Sequence, residues 1–340
     1  MIDLLSDDVY SRLLRRPSLL QDFIPKSSEL VAIDEIQKIP ALLDEVHRLI
    51  ELQGTRFLLT GSSARKLRHG GANLLGGRAW ESRLFPLTSA ELGDAFDLEI
   101  YLNRGGLPAI YFSDHPEDEL KNYLRLYLRE EIQAEMIVRR LDHFSRFLDS
   151  MGLVNAQELN LEGIASDSGV PARTVASYLE VLEDTLIGFQ VAPFTKTKTR
   201  KAIKRSKFYF FDVGVAGALA RRGVVRKGSE LFGIALEQFV AQELRAFLSY
   251  TNADHQLCYW RSTSQKEVDF VIGTAVAIEV KASQNVGMRD LSGLKALREE
   301  KLINSFIVVC DEPLERTSDG IQIMPWRIFL TKLWRNELFR

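Results

Sequence analysis

Residues 30–35, LVAIDE, are an apolar run of strand length that ends on two adjacent carboxylates, Asp34 and Glu35. This run and its continuation limit the fold more than any other part of the chain. The segment ALLDEVHRLIEL repeats Leu42, Val46, Leu49 and Ile50 on one helical face, and RFLLTG is a second apolar run. Strand, amphipathic helix and strand in that order predict an α/β unit with a mostly parallel sheet covered by helices. With IDLL before it and WESRLFPL after it as further short strands, this pattern occupies residues 1–93. Residues 94–155 have a helical pattern, with ELKNYLRLYLREEIQAEMIVRRL as the longest candidate. Residues 156–225 hold two short helices, a basic stretch and an apolar strand, and residues 226–340 a helix, several short strands and a helix. A chain of 340 residues is long enough for such domains to have cores of their own.

Composition removes several classes of function. The formal charge of -2 means that any contact with nucleic acid needs a local basic patch, because the field of the whole molecule does not supply one. Two distant cysteines, Cys258 and Cys310, without histidines at metal spacing, argue against a disulfide framework and a zinc site. The first residues, MIDLLSDD, are acidic where a secretory signal is basic, and no apolar run reaches membrane-spanning length. A cytoplasmic protein with no membrane partner is the expectation.

Three groups of residues carry chemistry. At the end of LVAID, Asp34 is placed to hold the shell of a magnesium ion and Glu35 to polarise an attacking water, as phosphoryl transfer requires. RFLLTG continues into Thr60, Gly61, Ser62 and Ser63, whose hydroxyls could meet a phosphate, and Arg78 in LLGGRAWES could neutralise charge. In the middle, NLEGIASDSGVPARTVASYLEVLEDTLI has the form helix, turn, helix, with Gly169 in the turn and Pro171 opening the second helix. It resembles a winged helix, with GFQVAPF and KFYFFD as wing strands. Between and at the edge of these lie Lys196, Lys198, Arg200, Lys201, Lys204, Arg205 and Lys207, a cluster suited to the phosphates of a duplex. The alternative is a packing module with a solvated basic hairpin tip. Asp212 in FFDVG has the position of a helix cap.

In the last third, Glu237 lies on the helix FGIALEQFVAQELRAFLSY, and EVDFVIG and AVAIEVKAS are paired strands around Gly273. Strand alternation puts Glu267, Asp269 and Val271 on one face with Val268, Phe270 and Ile272 opposite, and gives Ala277, Glu279 and Lys281 a common face. Asp269, Glu279 and Lys281 form D-x9-E-x-K, which resembles the PD-(D/E)xK nuclease core. Its carboxylates would bind Mg2+ or Mn2+, and its lysine would stabilise developing charge. A salt-bridged ladder that needs no metal is the competing reading.

Seven stretches, AIDEIQKIP, FLLTGSSA, LLGGRAWESRLFPLTSAEL, GGLPAIYF, KFYFFDVGVAGAL, ALEQFVAQEL and EVDFVI with AIEVKAS, run through nearly the whole chain. Together they resemble a large prokaryotic group of AAA-type ATPases with a nuclease-like C-terminal domain of unknown function. The resemblance implies Walker B roles for Asp34 and Glu35, a sensor-like role for Ser62, and an arginine-finger or sensor role for Arg78. It also implies ATP and Mg2+ as cofactors. The group opens with a strand and a G-x-x-x-x-G-K-[ST] loop that cradles phosphates, and no GK dipeptide occurs in these 340 residues. The expectation is therefore a partial P-loop AAA-type sheet, a helical and winged-helix middle, and a restriction-endonuclease-like C-terminal domain, lacking the Walker A segment and deficient in ATP binding. DNA is the expected partner. The edges left by a missing central strand invite self-association. The rival expectation is a non-enzymatic adaptor with both sites vestigial.

Overall fold

The computed structural model describes residues 1–25, 28–61, 79–127 and 140–339. The chain divides into two compact units, Met1–Glu81 with Leu182–Leu186, and Ser82–Val181 with Ile187–Arg340.

In the first unit β1 (Ile2–Asp3), β2 (Leu30–Asp34) and β3 (Arg56–Leu59) form a parallel sheet in that order. Val31 and Ile33 alternate into a core with Leu4, Leu13, Val46 and Leu49. The crossover helix Leu42–Gln53 supplies the last two, and it stops at Gly54, whose φ of 65° lets its N–H reach the Ile50 carbonyl. The carboxyl ends of the strands are level, because Asp3 pairs with Asp34 and Ile33 with Leu59. Among the described residues β3 has a neighbour on one side only. WESRLFPL, expected as a strand, belongs to no ladder, and Trp80 and Leu84 are exposed. Apolar alternation alone does not make a strand; its backbone groups need a partner strand.

The second unit is built on one nine-stranded mixed sheet, ordered β11-β12-β10-β9-β8-β7-β5-β6-β4. Its strands are β4 (Gln157–Glu158), β5 (Gly188–Pro193), β6 (Lys207–Phe210), β7 (Leu257–Arg261), β8 (Glu267–Ile272) and β9 (Val276–Lys281). They continue as β10 (Ser305–Cys310), β11 (Arg316–Ser318) and β12 (Ile321–Pro325). Parallel pairing of Ala192 with Cys258 and Pro193 with Tyr259 joins the small sheet β5-β6-β4 to the larger one. The helix Glu230–Tyr250 packs on one face, through Phe232 and Phe239 against Phe270 and Ile278. The helix Ser292–Arg298 covers the other, through Leu294 and Leu297 against Trp260 and Val308. Cys258 and Cys310 are buried, unbridged thiols on that second side.

Helices Leu141–Leu153, Leu161–Ser168 and Ala172–Asp184 precede β5, with Gly169 in the left-handed region between the last two. Tyr178 meets Phe144 and Phe147 at centroid distances of 5.0 and 5.4 Å, which closes this helical cluster. The long helix expected around residue 120 begins as Pro116–Asn122 and widens into a π turn at Tyr123–Tyr127; its remainder lies outside the described residues. No helix among the described residues is long and apolar enough to cross a membrane.

Two buried carboxylates tie distant segments together. Asp212 caps the helix Val213–Leu219 through Oδ1, accepting from Gly214 N at 2.9 Å and Val215 N at 3.0 Å, while Oδ2 accepts from Gly106 N at 2.7 Å. Gly105 has φ 81°, and a side chain there would also strike the Asp212 carboxylate. Glu243 accepts from Ser89 N, Ser89 Oγ and Trp334 Nε1 at 2.7, 2.9 and 2.6 Å.

Candidate functional site

The carboxyl ends of β2 and β3 bring together the first group. Asp34 accepts a hydrogen bond from the Thr60 hydroxyl. The Ile36 N–H donates to the Thr60 carbonyl, and the Thr60 N–H to Ile33, so the chain after each strand is laced to its neighbour. Glu35 sits at φ 57°, a left-handed conformation uncommon for a side-chain-bearing residue, and Gln37 Nε2 donates to its carboxylate at 2.5 Å. Crevices beyond the carboxyl ends of parallel strands are where α/β sheets bind ligands. Asp34, Glu35 and Thr60 fit the metal and water side of a nucleotide site. Nothing among the described residues forms a cradle of backbone N–H groups for phosphates beside them. Ser62 and Arg78 lie outside the described residues.

A second group assembles in the C-terminal sheet. β7 and β8 change register between Cys258 and Trp260, a bulge that interrupts the expected alternation. As a result Val268 joins Val271 in one hydrophobic cluster, while Phe270 and Ile272 join the other. The β8–β9 ladder stops at Phe270 and Ile278, and beyond it the Asp269 side chain takes over as acceptor, receiving Val280 N at 2.8 Å. Lys281 Nζ lies 2.6 Å from Glu279 Oε1, and the buried Glu279 Oε2 has no hydrogen-bond partner. From the helix above, Glu237 Oε1 accepts from Tyr209 OH at 2.7 Å and Lys207 Nζ at 3.1 Å. Lys207 Nζ also stands 2.7 Å from Glu267 Oε1 and 3.9 Å from Asp269 Oδ1.

The electrostatics come from burial. Asp269 and Glu279 are 7% and 6% exposed. Burial first, and then the Glu279 and Glu237 charges, push the Asp269 carboxyl well above the usual carboxylate range. Burial also raises Glu279, against the pull of Lys281. Burial alone would lower Lys281, but Glu279 and then Asp269 outweigh it and raise it. Carboxylate oxygens are hard ligands of the kind Mg2+ and Mn2+ prefer, and the open Glu279 oxygen is such a donor. Even so, no set of three or more His, Cys, Asp or Glu among the described residues is disposed to hold a metal ion. The positive charge inside the cluster belongs to a lysine.

That lysine changes the reading of the basic stretch. Lys207 is 4% exposed and lies in β6, away from the solvent-facing Lys196, Lys198, Lys201, Lys204 and Arg205. The segment before it is pinned to the sheet: Phe194 N donates to Tyr259 O, Ile203 N to Arg261 O, and Thr263 N to Lys201 O. Three successive N–H groups, of Lys198, Thr199 and Arg200, donate to the Glu300 carboxylate at 2.8–2.9 Å, and Arg200 pairs with Glu299 at 2.6 Å. Sequence reasoning misses Tyr209, Glu267 and Lys207 as members of the carboxylate cluster. For the β6 pair a signal exists. In KFYF, Lys207 and Tyr209 share a face of an otherwise apolar strand, and a charge there needs a buried partner.

Comparison with known proteins agrees with this division of sites. The family model of the AAA domain matches residues 2–93, and two domains of unknown function match residues 95–225 (DUF8612) and 232–329 (DUF4143). Uncharacterized proteins of Mycobacterium tuberculosis and Mycobacterium bovis are each 27% identical over 316 residues, which cover 89% of this chain and 70% of theirs. An uncharacterized protein of Haemophilus influenzae is 26% identical over 249 residues, 66% of this chain and 60% of its own. No solved structure matches the chain. The chain carries an AAA domain at its N-terminal end and a DUF4143 domain at its C-terminal end.

Proposed function

We propose that this is an AAA-type ATPase-family protein whose C-terminal part acts on DNA as a metal-dependent, PD-(D/E)xK-like nuclease. The observation that carries the reading is the meeting of Glu237, Asp269, Glu279 and Lys281, drawn from one helix and two strands, around buried and mutually coupled charges. A scaffold has no need of such a group, since burying carboxylates costs free energy unless their charge is used or compensated. Asp269, Glu279 and Glu237 would hold Mg2+ or Mn2+, which when bound polarises a phosphodiester and lowers the pKa of water. Lys281 would steady the developing negative charge. The order helix, strand, helix, helix, hairpin over residues 141–210 is that of a winged helix, and its exposed lysines supply a sequence-independent hold on a duplex. Incubation of plasmid with Mn2+ tests this. Wild type is expected to nick it, Asp269→Ala to lose both nicking and metal, and Lys281→Ala to lose nicking while keeping metal. Bound metal without cleavage by wild type would leave a binding module.

For the N-terminal domain the reading is nucleotide-linked work through Asp34 and Glu35, with the open side of β3 available to another chain. These 340 residues contain no G-x-x-x-x-G-K-[ST], and two carboxylates alone do not hold a triphosphate. Calorimetry with Mg-ATP on the 340-residue chain is therefore expected to detect no binding in the micromolar range. Micromolar binding displaced by ADP would overturn that expectation.

A further inference from the structure

We propose that the Lys207 ammonium is the resident cation of the carboxylate cluster, and that a divalent ion enters only by displacing it, so Lys207 sets the cluster's affinity for Mg2+ or Mn2+. This rests on the reading of the cluster as an ion site and adds a residue that the D-x9-E-x-K pattern does not contain.

The placement is specific. Lys207 Nζ is 2.7 Å from Glu267 Oε1, 3.1 Å from Glu237 Oε1 and 3.9 Å from Asp269 Oδ1, with its side chain 5% exposed. It also lies over the Tyr259 ring, 5.4 Å from the centroid. β6 cannot easily withdraw it. That strand is paired on both sides, by β5 and β4, and Phe210 N is held by Asn155 Oδ1 at 2.9 Å. Asn155 in turn donates to Gln238, the neighbour of Glu237. The lysine and the acid it faces are thus fixed by one hydrogen-bonded frame.

Two further features point to ion exchange rather than a closed salt bridge. Glu279 Oε2 is buried and has no hydrogen-bond partner, so the cluster keeps an unused acceptor of the kind a cation takes. Asp269 accepts a backbone N–H through Oδ2 alone, and Oδ1 faces Lys207 at 3.9 Å, too long for a hydrogen bond. An ammonium satisfies oxygens at 2.7–3.1 Å, whereas Mg2+ draws its ligands in to about 2.0–2.1 Å. Both cannot sit among the same oxygens, because a dication beside an ammonium in a water-poor pocket is repelled by it.

Manganese titration by calorimetry at one pH, on wild type, Lys207→Met, Lys207→Gln and Asp269→Asn, tests the exchange. Melting curves with EDTA and with Mn2+ accompany it. Removal of the ammonium is expected to tighten Mn2+ binding at least tenfold in both Lys207 variants. Both should melt lower than wild type in EDTA and gain more from Mn2+ than wild type does. Should Lys207→Met fail to fold, Lys207→Gln keeps a hydrogen-bonding side chain without the charge and carries the test. Equal or weaker binding in the Lys207 variants, with Asp269→Asn abolishing it, would overturn the exchange and leave the ion site standing. Absence of Mn2+ binding in every form, or binding that survives Asp269→Asn, would remove the ion site itself and the exchange with it.

Discussion

Asp212→Ala is expected to cost the second unit about 3–5 kcal/mol, a larger stability effect than any other substitution proposed for this chain, since each buried donor left unmet costs roughly 1–3 kcal/mol. Asp212 is fully buried and accepts from the N–H groups of Gly106, Gly214 and Val215. Two of these are the first free donors of a helix, which always need an acceptor. The third belongs to the GGLP turn, where Gly105 and the carboxylate are packed so closely that no side chain fits between them. Alanine would therefore strand a helix start and a distant loop at once. Asn is the sharper probe. It can keep one oxygen for the helix donors, but its NH2 group then faces the Gly106 N–H, so about half of the loss should remain. Urea unfolding gives the readout: a lower midpoint with unchanged slope. A loss below about 1 kcal/mol for alanine would mean that the turn and the helix start find acceptors without this carboxylate.

Strong local patterns survive into the fold. LVAID and RFLL are neighbouring parallel strands because a buried strand, an amphipathic crossover and a second buried strand have few other ways to hide their apolar faces. The pair Leu161–Ser168 and Ala172–Asp184 is legible from its glycine turn and its apolar spacing. Features that depend on long-range pairing are not. A strict period of two cannot reveal a bulge, so it puts Val268 on the wrong side, although Asp269 still meets the Glu279–Val280 peptide. WESRLFPL has strand-like alternation but finds no ladder among the described residues. Lys207 stands in the sequence among basic neighbours, and charge clusters are local in sequence while ion pairs are local in space. Its partners Glu237 and Glu267 come from a later helix and strand. Likewise nothing in the motifs LTSAEL and VAQEL reveals that one is fastened to the other by Glu243.

Glu243→Gln should change the way stability depends on pH. Glu243 is 1% exposed. Burial pushes its carboxyl up to about 7, despite the hydrogen bonds from Ser89 and Trp334 that favour the charged form, with Glu91 adding to the rise. A carboxyl whose folded pKa lies above its unfolded value of about 4.3 stabilises fully below that value and loses the contribution as pH climbs through the folded pKa. Between about pH 4.3 and 7 the wild type should lose up to about 1.4 kcal/mol per pH unit from this group, about 3 kcal/mol in all. Glutamine does not titrate. It carries a constant penalty, because its NH2 group must face either the Trp334 or a Ser89 donor, about 1–3 kcal/mol. The variant should therefore be clearly weaker than wild type at pH 5 and close that gap, or reverse it, by pH 8. Urea midpoints at pH 5, 6, 7 and 8 decide the matter. A difference that stays constant across the four would show that Glu243 is ionised throughout, with its three donors outweighing burial.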